Sequence, residues 1–207
     1  MKNRFITFFI AILLVFIIGC KEESARMDDF KVDFATVLNE NTQLRFLLDN
    51  GQILTPINPE MYSGETGQRV VMNYTPLEDN RIRIRGISNI FTGNIRTDGF
   101  SEQLAKEPVR IQSVWVAGNY LNMILEIQVH SVLHTIGLYR NPESETIDLY
   151  FSYSRNGDPA GNARMLYASF RLNELREEEN VLVSFRLFMN TYSGMKEIER
   201  EFEMAIR

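Results

Sequence analysis

The stretch FLLDNGQILTP, residues 46–56, decides the fold. Two short apolar runs, 43–48 and 52–55, flank Asn50-Gly51. Asn-Gly is the dipeptide most favoured in a two-residue type I′ hairpin, because both central positions need positive φ. The stretch therefore predicts two antiparallel strands and a β protein around them. Upstream, residues 32–38 (VDFATVL) are rich in β-formers, and downstream QRVVMNYT (68–75) reads as another strand. Residues 81–85, RIRIR, alternate strictly, so Arg81, Arg83 and Arg85 face one way and Ile82 and Ile84 the other. Such a stripe serves either an anionic ligand or, more commonly, solvent along an amphipathic strand. Five strands with an early hairpin suit a small closed Greek-key barrel of OB type, spanning residues 32–96.

Residues 97–108 (TDGFSEQLAKEP) lose the alternation and carry Gly, Pro and mixed charge, which predicts a linker between domains. Beyond it a second series begins: 109–117, 120–129, 135–140, 146–153, 165–172, 181–187 and 196–206. Turn signals separate these runs at Gly118-Asn119, Asn141-Pro142, Asn156-Gly157-Asp158-Pro159, 173–180 and Ser193-Gly194. Seven short strands with turn clusters predict a β-sandwich over residues 109–207. Residues 174–179 form at most one helical turn. The whole is an all-β chain of two domains, with the crevice between them as the default ligand site.

The N-terminus gives an address. Lys2 and Arg4 precede an apolar run, residues 5–18, broken only by Thr7 and closed by Gly19. A basic start, a short apolar run and a small-residue exit describe a secretory signal, residues 1–19. A membrane-spanning helix needs about 20 apolar residues. The exit IIGC (17–20) resembles the lipobox of bacterial lipoproteins. That resemblance implies a diacylglycerol thioether and an acylated amine on Cys20 after cleavage behind Gly19. Each buried methylene of such an anchor contributes about 0.8 kcal/mol, and two or more chains hold where one is marginal. Lys21, Glu22 and Glu23 resemble the surface-export signal of Bacteroidetes lipoproteins, and residues 20–31 read as a polar tether. The outer membrane is thus the expected location, its outer face by that signal and its periplasmic face as the alternative.

Cys20 is the only cysteine, so no disulfide framework supports the fold, and burial must do so. Removal of residues 1–19 leaves 188 residues with 20 basic and 27 acidic side chains, a net charge of −7. An exported acidic chain is a poor nucleic-acid binder, since phosphate contacts require clustered Lys and Arg. Attachment to the membrane therefore rests on the lipid.

The segments FLLDNGQILTP (46–56), GQRVVMNYT (67–75), VWVAGNYLNMILEIQVHSVLHTIGLY (114–139) and NGD (156–158) resemble the NigD-like lipoproteins of Bacteroides and Prevotella relatives. The W-V-x-G-x-Y-L-N run at Trp115–Asn122 is the most specific part. The resemblance implies an N-terminal OB-type barrel, a C-terminal β-sandwich and a lipoprotein signal. The family's association with a bacteriocin gene set implies an immunity or accessory role. It supplies no catalytic residue.

The residues themselves carry little chemistry. No Gly-x-Ser-x-Gly, His-Glu-x-x-His, phosphate loop or Cys-x-x-Cys occurs. His130 and His134 stand four apart, a ligand spacing on a helix but up to ~13 Å apart along a strand, so no metal site is assigned. Asn156, Asp158 and Gly161 partly match a calcium loop, yet Ala160 and Tyr167 occupy ligand positions, and the segment reads as a turn. Glu177, Glu178 and Glu179 are adjacent rather than opposed, so they form no acid–base pair. Trp115, Tyr120, Tyr139, Tyr150, Phe151, Tyr153 and Tyr167 crowd the second domain and read mostly as packing. By alternation Phe151 and Tyr153 share one face, with Tyr150 on the other. The expectation is a non-catalytic module without cofactor that binds a protein or glycan. The alternative is an envelope hydrolase with an atypical site between the domains. No residue pattern fixes an oligomeric state.

Overall fold

The computed structural model describes residues 30–40, 43–175 and 182–203. The signal segment 1–19, Cys20, Lys21, Glu22, Glu23 and nearly all of the tether lie outside the described residues, as do Glu177, Glu178 and Glu179.

The first five strands are β1 (Lys31–Glu40), β2 (Gln43–Leu48), β3 (Ile53–Pro56), β4 (Arg69–Pro76) and β5 (Arg81–Asn89). They close into a barrel in the order β1-β2-β3-β5-β4, with β3 and β5 parallel and the other pairs antiparallel. β1 is long enough to serve two neighbours. Residues 31–36 pair with β4 and residues 35–40 with β2. The period of two sends Ala35, Val37, Phe46, Val70, Met72, Ile82 and Ile84 inward. Complete burial of Phe46 alone contributes about 1.5–3 kcal/mol. Arg81, Arg83 and Arg85 are exposed on the opposite face, and Arg85 Nε donates to Thr75 Oγ1 at 2.9 Å.

The hairpin at Asn50-Gly51 is present but is not type I′. Leu48 N–H donates to Gln52 O (2.8 Å) and Gly51 N–H to Leu48 O (2.9 Å), which makes a three-residue loop, Asp49-Asn50-Gly51. Gly51 alone takes positive φ, +87°. The Asn50 side-chain carbonyl accepts the Gln52 amide at 2.9 Å, which stabilises this turn-plus-bulge form. The loop then lifts Asp49 out of the ladder and leaves its carboxylate free for a distant partner.

The chain leaves the barrel at Ile90, whose N–H donates to Arg69 O (3.1 Å). Two short strands follow, β6 (Phe91–Gly93) and β7 (Ile95–Arg96), then β8 (Arg110–Ala117), β9 (Tyr120–Val129), β10 (Thr135–Arg140) and β11 (Asp148–Ser154). β12 (Asn162–Arg171), β13 (Leu182–Thr191) and β14 (Gly194–Glu203) complete the described strands. They form two sheets, β14-β13-β11-β10-β7 and β6-β12-β9-β8. Leu121, Met123 and Leu125 of one sheet face Leu138, Leu149, Phe151 and Leu187 of the other in a single core. The seven predicted strands are all present. β6 and β7 add two more among the described residues, one joining each sheet by a parallel pairing.

Residues 97–108 are therefore not the inter-domain linker. The sandwich already begins at Phe91, and this segment is bound to β11. Ala105 N–H donates to Ser152 Oγ (2.9 Å), Glu107 pairs with Arg155 (2.9 Å), and the Phe100 ring lies 5.1 Å from Tyr150. Gly99 and Pro108 break the alternation that a strand would show, but hydrogen bonding still ties the segment to the sandwich. Residues 173–175 make one 3-10 turn at the start of the expected helical turn 174–179, whose remainder lies outside the described residues.

Candidate functional site

The same alternation that fills the barrel determines what meets the sandwich. With Ala35, Val70 and Met72 inward, β1 turns Val32, Phe34 and Thr36 outward, and β4 turns Arg69 and Val71 outward. Register places Phe34 opposite Val71 and Thr36 opposite Arg69. On the sandwich, Leu121 and Met123 point into the core, so β9 presents Tyr120, Asn122 and Ile124 outward. Asn122 stands between Trp115 and Ser169, and Ile124 is opposite Tyr167. These two outward faces dock on each other.

Arg69 closes the joint. Its side chain is 0% exposed, and its guanidinium grips both oxygens of Asp49 at 2.7 and 3.0 Å. Nη2 also donates to Asn122 Oδ1 (2.9 Å), Nε to Ser169 Oγ (3.4 Å) and Nη1 to Thr36 Oγ1 (3.2 Å). Asn122 Nδ2 donates to Asp49 Oδ2 (3.0 Å), and Ser169 Oγ donates to Asn122 Oδ1 (2.6 Å). The Tyr120 ring covers the guanidinium at 4.4 Å. A charge this deep persists only when paired and fully hydrogen-bonded, and the fork geometry of Arg meets both conditions. Tyr120 and Asn122 of the W-V-x-G-x-Y-L-N motif thus serve the bridge between domains.

Beside the bridge lies a crevice of about 480 Å³. Val32, Phe34 and Val71 of the barrel face Trp115, Ile124 and Tyr167 of the sandwich across it. The Phe34 ring stands edge-on to Trp115 (5.0 Å) and Tyr167 (5.9 Å), an arrangement favoured by the ring quadrupoles. Trp115 and Tyr167 are half-buried on the outer face of their sheet, not in the sandwich core. Asp33 and Asp49 also line the crevice, the first accepting from Tyr74 Oη (2.7 Å), the second held by Arg69. Burial first, and the neighbouring Asp33 second, push the Tyr74 phenol up.

The two histidines are separated in role. His134 Nε2 lies 3.1 Å from Asp158 Oδ2, and Tyr153 Oη lies 2.7 Å from His134 Nδ1. Asp158 also accepts the backbone N–H groups of His130 (2.8 Å), Ser131 (3.0 Å) and Val132 (3.1 Å). Burial alone would raise the Asp158 carboxyl, but these backbone donors and His134 together hold it well below the usual carboxylate range. Burial pushes the Tyr153 phenol up to about 12. The His130 ring meets Ser131 Oγ, at 3.0 Å. Asn156 (φ +53°) and Gly157 (φ +79°) supply the type I′ geometry expected at Asn50-Gly51, with Asp158 N–H donating to Arg155 O (3.0 Å). The NGD segment therefore clamps the β9–β10 loop from below, and Leu133 stands 91% exposed at its tip.

Arg69 and Asp49 are not among the residues that the sequence singles out. One signal was available: Val71 sits on the face of QRVVMNYT opposite Val70 and Met72, so both faces carry apolar side chains, and both are covered.

The fold and joint define a class: a two-domain all-β protein in which an OB barrel and a β-sandwich are bolted face to face at a buried polar bridge, with a crevice beside it. Residues 34–90 match the NigD-like N-terminal OB domain and residues 93–203 the NigD-like C-terminal beta sandwich domain; the chain belongs to the NigD-like family. The two matches meet where the chain passes from barrel to sandwich. A toxin-related protein from Parabacteroides distasonis has a similar solved structure, with 26% identity, TM-score 0.75, and 84% of this chain and 94% of that one covered. A NigD-like immunity protein from Bacteroides caccae is similar at 23% identity and TM-score 0.69, covering 84% of this chain and 96% of its own. Among curated proteins none matches the chain.

Proposed function

We propose that this chain is a non-catalytic lipoprotein of the cell envelope, of immunity or accessory type, that binds a partner in the crevice between barrel and sandwich. Acyl chains on Cys20 anchor it, and Lys21, Glu22 and Glu23 direct it to the outer face of the outer membrane. The observation that carries the reading is the crevice itself. It is walled by Phe34, Trp115 and Tyr167 and held open by the Arg69 bridge, so it is formed before any ligand arrives. Pre-formed apolar clefts with a few placed polar groups are the usual form of a binding site. Its two carboxylates are already engaged, Asp33 by Tyr74 and Asp49 by Arg69, which suits recognition better than proton transfer. The linked Asp158, His134 and Tyr153 are buried and serve the β9–β10 loop. The toxin-related relative at 26% identity fits the immunity-type role.

The test is affinity capture from detergent-solubilised outer membranes with four full-length baits. Wild type and Met195→Ala, a change on exposed β14, should retain the same partner. Trp115→Ala and Tyr167→Ala should lose it at least tenfold, the usual consequence of truncating a central aromatic anchor. Equal capture by all four baits would overturn the crevice as the binding site.

A further inference from the structure

One wall of the crevice is a strand edge. On its β2 side, β1 is paired only from Ala35 onward, opposite Leu48, because β2 ends there and the Asp49–Gly51 loop begins. Residues 31–34 have no strand on that flank among the described residues. The β1–β4 register runs unbroken from Lys31 opposite Tyr74 to Thr36 opposite Arg69, and Val37 N–H donates to Gln68 O on the β4 side (2.9 Å). Backbone groups change sides at every residue of a strand. Residues 31, 33, 35 and 37 therefore turn toward β4, and Val32, which lines the crevice, turns its N–H and C=O to the flank that β2 does not reach. Val32 is 56% exposed. Proteins ordinarily blunt a free edge with proline, a bulge, charged side chains or a covering element. Neither proline nor bulge interrupts residues 31–36, and the charged side chains there are Lys31 and Asp33.

Building on the crevice reading, we infer that the site takes an extended segment of a protein partner, which adds to β1 as a strand beside Val32. It sets an apolar or aromatic side chain between Phe34, Trp115 and Tyr167. Strand addition draws affinity from main-chain hydrogen bonds and specificity from pockets for alternate side chains, and both are available here. A free N–H and C=O together at Val32, on an edge whose like-facing residues repeat about every 6.6–6.8 Å, match a peptide strand rather than a sugar ring. Charge narrows the sequence further. Among the described residues the crevice lining includes Asp33 and Asp49 and no Lys or Arg; Arg69 neutralises Asp49, and Asp33 remains to meet a cation. The fitting segment therefore carries Lys or Arg close to its apolar anchor.

Full-length protein in detergent micelles, panned against a random decamer peptide library, tests this. Enriched peptides should alternate apolar and basic residues with period two and bind more tightly than about 100 µM. Val32→Pro removes one outward N–H and no rung of the β4 ladder, so it should weaken these peptides at least tenfold at unchanged melting temperature. Methylation of alternate peptide amides should weaken binding equally and leaves the protein untouched. A library without enrichment overturns the inference, as do peptides indifferent to both changes. Displacement by a soluble oligosaccharide panel would assign the crevice to glycans instead. A dimer that Val32→Pro dissociates would place a second copy on the edge. A tenfold gain when residues 21–29 become Gly-Ser would place the tether there. If Trp115→Ala abolishes binding while Val32→Pro does not, the crevice stands and strand addition falls; if neither weakens it, both fall.

Discussion

Replacing Arg69 with methionine should cost more than any other single change at the joint. Methionine keeps most of the volume but strands Asp49, whose side chain is only 16% exposed, with Asn122 Nδ2 as its remaining side-chain donor among the described residues. It also leaves Ser169 and Thr36 without the Arg69 donor, and removes the cation beneath Tyr120. Breaking a buried pair by removing one partner costs about 3–5 kcal/mol. Because Asp49 keeps some contact with water, the lower end applies, about 3 kcal/mol. For a domain pair of this size that corresponds to a melting temperature lowered by about 6–12 °C. Asp49→Leu in the same background removes the orphaned charge and should restore much of the loss, since apolar replacement of a whole buried pair is often neutral. Scanning calorimetry of wild type, both single variants and the double variant closes the cycle. Wild type should melt in one transition, and Arg69→Met should separate barrel from sandwich into two. A loss below about 1 kcal/mol, or additive single and double effects, would refute the bridge as the element that fixes the domains.

Other consequences are simpler to measure. Asp158 has its folded pKa depressed, so its stabilisation is present above the unfolded carboxylate value of about 3.9 and is lost as pH falls below it; wild type should therefore lose stability between about pH 4 and pH 2 more steeply than Asp158→Asn. Tyr153 runs the other way. With its folded value at about 12, its contribution is complete below the unfolded value of about 10 and disappears between the two, which phenolate absorbance and alkaline melting of Tyr153→Phe should show. Gly51→Ala meets open space but is forced to φ +87°, and should cost about 1–2 kcal/mol in denaturant titration. Cys20→Ser should abolish fatty-acid labelling and membrane fractionation, and persistence of both would refute the lipobox.

Much of the fold is legible along the chain because short antiparallel strands advertise themselves through alternation. RIRIR and QRVVMNYT both fall in strands, the first with Ile82 and Ile84 inward, and Phe151 and Tyr153 share the core side while Tyr150 stacks on Phe188 outside (4.7 Å). β6 and β7 are invisible for a physical reason: three and two residues are too few to show a period, and their parallel partners lie dozens of residues away. The site is harder still. An arginine next to Val70 looks like a solvated residue until the sandwich covers it, and nothing local announces that Asp49, Asn122 and Ser169 converge on it. The Asn-Gly dipeptides illustrate the same limit, since local sequence favours type I′ equally at residues 50 and 156, and neighbouring contacts grant it only to Asn156-Gly157.

The central claim is that a partner occupies the crevice, and site-specific photo-cross-linking in living cells addresses it most directly. A photoreactive amino acid at Tyr167, which lines the crevice, is compared with the same residue at Met195 on exposed β14. The account predicts one discrete adduct from position 167 and none from 195, with the 167 adduct lost when Trp115→Ala is added. Adducts from 195 alone, or equal adducts from both positions, would contradict it.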